Sequence, residues 1–175
     1  MVLRGALVTA FLALMAGAVR AEMLEFPAGD VTKVWPKLPA VAEWHQDQAA
    51  SFQNTANALI PDGVTFDSAD AVILARGLPR AGRSLAQVMA DDKTGNATDD
   101  AHTRKLADIA DKDVRPFQVI AFAPGKSGKW EADAYAEEGR YYLVFTLSAK
   151  SQAAYDKAFP VFSGLLQNYA EMIPW

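Results

Sequence analysis

No cysteine occurs in the 175 residues, which excludes disulfides, thiolate metal sites and cysteine nucleophiles. It also excludes the lipid-bearing cysteine that would tether an exported chain at its signal cleavage site. Histidine is nearly as scarce: His45 and His102 are the only two. A site with two imidazoles would have to unite a residue ahead of the first expected helix with one in an acidic stretch. Positive charge is in deficit too, with 17 Lys plus Arg against 21 Asp plus Glu. That balance argues against nucleic acid and anionic membrane surfaces as partners. The apolar run at residues 6–18 is shorter than the roughly 20 residues of a membrane-spanning helix.

This run instead has the anatomy of an export signal. Arg4 supplies the basic end, residues 6–18 the apolar core, and Val19-Arg20-Ala21 the small-residue cleavage site. A cut after Ala18 is the alternative. Cleavage after Ala21 leaves residues 22–175 as one domain, long enough for a core of its own. It also leaves 15 of the 17 basic side chains against 21 acidic ones, a formal charge of −6. The expected product is periplasmic or secreted, free in solution, with no membrane insertion after signal cleavage.

The apolar pattern predicts an α/β domain of the α+β type: a mainly antiparallel sheet of four or five strands, covered by helices, with a long C-terminal helix. Residues 141–147 are bulky on both faces and predict a central strand. Before them, residues 130–138 alternate, with Trp130, Ala132, Ala134 and Ala136 on one side and Glu131, Asp133, Tyr135 and Glu137 on the other. That is a half-buried strand joined to the next by a tight hairpin at Glu138-Gly139. Beyond Ser148 the apolar positions Tyr155, Ala158, Phe159, Phe162, Leu165, Leu166 and Tyr169 step by three and four, a helical stripe. Ser148 or Ser151 can cap it, and Pro160 should kink or divide it. Residues 69–78 and 114–123 read as further strands, the first without alternation and so covered on both faces. Residues 47–60 and 84–92 read as helices, the second capped by Ser84 with Leu85, Val88 and Met89 inward. Residues 31–35 read as an edge strand at most, residues 64–66 as the start of an extended stretch, and residues 91–113 as an acidic loop followed by a short helix.

Four segments together carry a resemblance: Trp44, then NTANALIPDG at 54–63, ADAVILARG at 69–77 and YYLVFTLSAKSQAAYDKAFPVFSGLL at 141–166. In this layout the chain resembles small exported proteins of the PsbP-like type. The resemblance implies a central antiparallel sheet between helices, closed by a strand and a long C-terminal helix. It implies an accessory or binding role, brings no functional residues with it, and does not extend to the acidic stretch 91–113.

The chemistry left to the chain is sparse. His45 stands between Trp44 and Asp47, but no G-x-S-x-G elbow supplies a serine to go with it. The aspartates of 91–113 suggest a hard cation, yet the spacing fails the calcium-loop pattern and no glutamate closes it. Gly125-Lys126-Ser127 imitates the end of a phosphate-binding loop, but Ile120 occupies the required glycine position and a strand follows. Arg76, Arg80 and Arg83 form the one concentrated basic stretch, able to hold a carboxylate or phosphate by bidentate contacts. Aromatic rings add a second element, since Trp44 and Tyr135 are costly to leave exposed. The expected binding residues are therefore Arg76, Arg80, Trp44, His45 and Tyr135, taking a small acidic ligand or a protein partner. No catalytic residue, metal or cofactor is expected. The reading is a non-catalytic exported binding or accessory protein of the cell envelope; the alternative is a small periplasmic hydrolase with a site around His45 or His102. Purified mature protein is expected to hold no stoichiometric metal, and elemental analysis after mild dialysis checks this: one equivalent of zinc or calcium would overturn it.

Overall fold

The computed structural model describes residues 23–28, 31–96, 102–112, 115–124 and 128–169. The expected export signal at 1–21 and the Gly125-Lys126-Ser127 tripeptide lie outside them. In chain order the elements are β1 (Met23–Ala28), β2 (Val31–Pro36), β3 (Trp44–Gln46), α1 (Gln48–Asn54), β4 (Asn57–Pro61), β5 (Ala71–Pro79) and α2 (Leu85–Asn96). They continue with β6 (His102–Lys105), β7 (Ile109–Ala110), β8 (Pro116–Ala123), β9 (Trp130–Glu138), β10 (Tyr141–Ala149) and α3 (Gln152–Asn168).

β10 is central, as its two bulky faces require. It pairs along its whole length with β9 on one side and β5 on the other, so that Phe145 stands between Ala134 and Ala75. The β9–β10 turn is Gly139-Arg140, one residue later than expected, because Tyr141 pairs with Glu138 and Gly139 takes the positive φ of 51°. Among the described residues ten strands form one antiparallel sheet, in the main order β1-β2-β5-β10-β9-β8-β6. This is twice the expected number of strands. The additional ones are short and sit toward the two ends of the sheet. On the far side of β5, β4 pairs with the first half through Leu59–Ile73 to Asn57–Ala75, and β2 meets the second half at Val34–Gly77. Residues 31–35 therefore lie between β1 and β5 and are not an edge.

α3 and α2 cover opposite faces. On the α3 face, Leu59, Ile73, Ala75, Phe117, Val119, Ala134, Leu143, Phe145 and Leu147 pack with Ala158, Phe162, Leu165, Leu166 and Tyr169 in the main core. On the other face, Ile120, Phe122, Tyr135 and Val144 receive Leu85 and Met89 of α2. Ser84 and Gln87 close a reciprocal capping box at the start of α2: Gln87 N–H donates to Ser84 Oγ at 3.2 Å and Ser84 N–H to Gln87 Oε1 at 2.7 Å. Ser151, not Ser148, caps α3, accepting from Ala154 N–H at 3.2 Å. Pro160 lies inside α3 without dividing it.

Three segments depart from their expected form. The helix expected over 47–60 stops at Asn54, because Thr55 turns left-handed at φ 51° and Ser51 Oγ accepts from Ala58 N–H at 2.9 Å, drawing the chain out into a strand. Residues 57–60 are then buried in β4, where the β3 and β5 ladders satisfy backbone groups that a helix would have satisfied internally. Phe52, an apolar residue of that segment, is 62% exposed. Among the described residues the acidic stretch holds no short helix after α2; residues 102–105 and 109–110 are strands along β8. Arg104 and Lys105 charge β6, an edge protected against further pairing. Residues 64–66 belong to a turn in which Thr65 N–H donates to Ser68 Oγ at 2.9 Å.

Phe162 is fully buried at the middle of α3, while Gln167 is exposed. Phe162→Ala is expected to cost about 3–5 kcal/mol, as is Phe145→Ala, and Gln167→Ala less than about 0.5 kcal/mol. Denaturant titration that gave Phe162→Ala and Gln167→Ala equal stability would show that this stripe does not close the core.

Candidate functional site

The residues singled out by sequence divide between two places. Trp44 and His45 lie on β3, which among the described residues pairs with β4 alone and begins where Trp44 meets Pro61. Between this corner and the first half of α3 opens a groove of about 770 Å³. One wall is Glu43, Trp44, Pro61 and Asp62, continued by Val64, Ser68 and Asp70; the other is Ser151, Ala153, Ala154, Lys157, Ala158 and Val161. Trp44 is half-buried with one side against the main core, so it gives the groove an apolar, fixed wall. Small side chains on the opposing turns of α3 leave the space open. His45 points away at the next strand position. Its Nδ1 lies 2.9 Å from Asp62 Oδ1, and both side chains are exposed, 46% and 60%. Glu43 adopts a left-handed φ of 63° at the rim, and its carbonyl accepts from Asp62 N–H at 2.8 Å. A non-glycine residue in that conformation is uncommon.

Arg76, Arg80 and Tyr135 stand on the α2 face of the sheet. Arg76 and Tyr135 both neighbour Val144, one from each side of β10. The basic stretch is already matched with carboxylates: Arg76 with Asp92 at 3.8 Å, Arg80 with Glu137 at 3.0 Å and Arg83 with Asp91 at 3.4 Å. Arg80 also lies over the Tyr142 ring, 5.0 Å from its centroid. The middle of the β9 side expected to be wet is buried here, while Glu137 at its end stays exposed. Asp133 is 2% exposed and Tyr135 fully buried, because α2 lies over β9. The Tyr135 hydroxyl donates to Asp133 Oδ2 at 3.3 Å. Burial pushes the Asp133 carboxyl up to about 6, with Glu131 and Asp92 adding to the rise against a hydrogen bond from Thr146 and the charge of Arg76. Burial, with Asp133 and Asp92 close by, also drives the Tyr135 phenol well above its usual range, so it stays neutral.

The structure thus brings Trp44 and His45 to one corner, gathers Arg76, Arg80 and Tyr135 on the opposite face, and does not unite the two sets. His102 sits on β6, separated from β3 by the width of the sheet, roughly 25–30 Å at the usual strand spacing. Among the described residues no three His, Asp or Glu side chains converge on a metal position.

Sequence reasoning missed the buried network around Arg115. Its guanidinium donates to Asp111 Oδ2 from Nε at 2.9 Å and from Nη2 at 2.6 Å, and its Nη1 reaches Glu138 Oε2 at 3.2 Å. Tyr169 donates to the same Glu138 oxygen at 3.0 Å and lies under the guanidinium, which is 5.6 Å from its ring centroid. The spacing of Asp111 and Arg115 was the available signal; that Glu138 completes the network follows only from the β8–β9 pairing.

Asp133 supplies a pH test. In the unfolded chain its proton leaves near 3.8, whereas in the fold it is held to about 6. Its contribution to stability is therefore complete below the lower value and is lost as pH rises through the higher one, a change on the order of 2–3 kcal/mol. Asp133→Asn removes this titration, so urea unfolding should favour the variant over the parent by about that much more at about pH 7.5 than at about pH 4. A difference independent of pH would show that Asp133 does not hold its proton in the fold.

Comparison with known proteins gives likeness of layout. No protein-family model and no curated protein matches this sequence. Among solved structures, the chain is similar to cyanobacterial PsbP (CyanoP) from Synechocystis sp. PCC 6803, with a TM-score of 0.48 and 9% identity, covering 92% of this chain and 99% of that one. It is also similar to PA94 of Pseudomonas aeruginosa, a protein of unknown function, with a TM-score of 0.47 and 10% identity, covering 87% of this chain and 97% of that one. The chain resembles the PsbP-like fold without a close family match.

Proposed function

We propose that this chain is a non-catalytic, exported binding or accessory protein of the cell envelope, and that the groove between the β3–β4 corner and α3 is where it binds. The observation that carries the reading is the groove itself: an open concavity with an indole fixed on one wall and small side chains on the other, the form of a preformed site. Export rests on the basic, apolar and small-residue segments of residues 1–21. Among the described residues no helix is long and apolar enough to cross a membrane.

The hydrolase reading has one feature in its favour, the His45–Asp62 pair at the groove rim. Its nearby hydroxyls are committed elsewhere. Ser68 Oγ is held by Thr65, and Ser151 Oγ caps α3. An acidic ligand at Arg76 and Arg80 would have to displace Asp92 and Glu137. Binding in the groove needs no such exchange.

Ala153 is exposed and lines the groove, so Ala153→Trp fills space there without entering the core. The neutral apolar dye Nile red should bind the parent saturably and the variant at least about tenfold more weakly, with thermal unfolding unchanged. Identical titrations for the two proteins, or no saturable binding to the parent, would remove the groove as the site.

A further inference from the structure

The groove has unlike walls, and at Val161 it adjoins a second depression. That depression, of about 200 Å³, shares Val161 with the first and is lined further along α3 by Gly164, Leu165 and Asn168, bounded opposite by residues 39–42. The two together follow the flank of α3, which at its 17 residues is about 25 Å long. That matches about seven or eight residues of extended chain and exceeds what one compact metabolite covers.

Charge on the two walls differs in sign. The wall built from the β3–β4 corner and the loop before β5 presents Glu43, Asp62 and Asp70, whereas Lys157 is the one lysine or arginine lining the first depression. Asp62 has His45 beside it, but Glu43 and Asp70 make no ion pair among the described residues. The opposite face differs: Arg76, Arg80 and Arg83 are all matched with carboxylates. Negative charge on the groove wall is thus left for something else to meet, and at Glu43 it is held on a left-handed backbone where glycine would sit with less strain.

We propose that the groove takes an extended cationic polypeptide segment, its Lys or Arg side chains on Glu43 and Asp70 and its apolar side chains along the Ala153, Ala154 and Val161 flank of α3. This rests on the groove being the binding site and adds the class of partner. The acidic wall supplies sign selection and salt-dependent capture, and the indole and alanine surfaces supply the apolar contact.

The test is calorimetric titration of the mature protein with a blocked peptide of about twelve residues in which leucine alternates with lysine, beside versions carrying glutamine or glutamate for lysine. The lysine peptide should bind most tightly at about 20 mM salt and weaken markedly by about 300 mM. Glu43→Gln with Asp70→Asn should weaken it about three- to tenfold. Asp91→Asn with Asp108→Asn removes equal charge remote from the groove and should change it by less than about twofold. Ala153→Trp, which alters no charge, should weaken it at least about tenfold. Equal binding of lysine and glutamate peptides, equal effects of the two charge-removing pairs, or binding indifferent to Ala153→Trp would each overturn the proposal. Loss of Nile red binding in Ala153→Trp, with no preference for the lysine peptide in the parent, would leave the groove standing and sink only the cationic partner.

Discussion

Arg115 meets two carboxylates and a phenol at the place where α3 returns to the sheet. Asp111 comes from just after β7, Glu138 from the end of β9 and Tyr169 from just past α3. Two negative charges and one positive are desolvated together there, which is tolerable only while every partner is present; removing one leaves a charge buried without its match. Tyr169 joins this polar knot to the apolar core, because its ring also packs edge-on against Phe117 and Phe145, at centroid distances of 6.1 and 5.4 Å. The C-terminal end of α3 is thereby fixed in position as well as in depth. The groove depends on this placement, since its second wall is the same helix.

The two covered faces serve different purposes. Under α3 the sheet contributes an apolar surface of alanines, aliphatics and aromatic rings, the material of a close-packed core. Under α2 it contributes a mixture, with Tyr135 and Val144 beside Asp133 and the Arg76–Asp92 pair. Low polarity over most of its area makes the first face the stronger contributor to stability, and the raised carboxyl of Asp133 makes the second sensitive to protonation. A ligand seated between β3 and α3 would touch the rim of the first and leave the second alone.

Much of this architecture is legible in the sequence. Residues 141–147, bulky on both faces, can only be an interior strand, and the steps from Tyr155 to Tyr169 can only be a helix lying on it. What misleads is local likeness overruled by distant pairing. Residues 49–59 have helical spacing, yet Leu59 and Ile60 find β5 and the turn from Ser51 to Ala58 lets them reach it. Asp133 and Tyr135 look like part of a wet face with Glu131 and Glu137, because the alternation cannot announce that α2 will lie over the middle of β9. The candidate site is legible only in part. Trp44 is a visible feature of the chain, but the opposite wall is a set of alanines, and a groove is made by the side chains that are missing. Arg76 and Arg80 were conspicuous as charges, and their carboxylate partners, 16 and 57 positions away, were not.

The fork at β5 has a consequence of its own. Its outer edge passes from β4 to β2, and the two branches are joined across the gap by Asn57, whose side-chain amide donates to the Pro36 carbonyl at 3.0 Å. Among the described residues, the β1–β2 hairpin is held to the domain through the Val34–Gly77 ladder pair, the Asn57–Pro36 bridge and the burial of Val34 and Trp35. Opening it exposes little of the core beneath α3, so its opening free energy is separable from that of the whole domain. In native-state hydrogen exchange the hairpin would behave as a unit distinct from β9 and β10. A protease cutting near residues 37–43 would sample the rate of that local opening, and the population it attacks would still hold its main sheet intact.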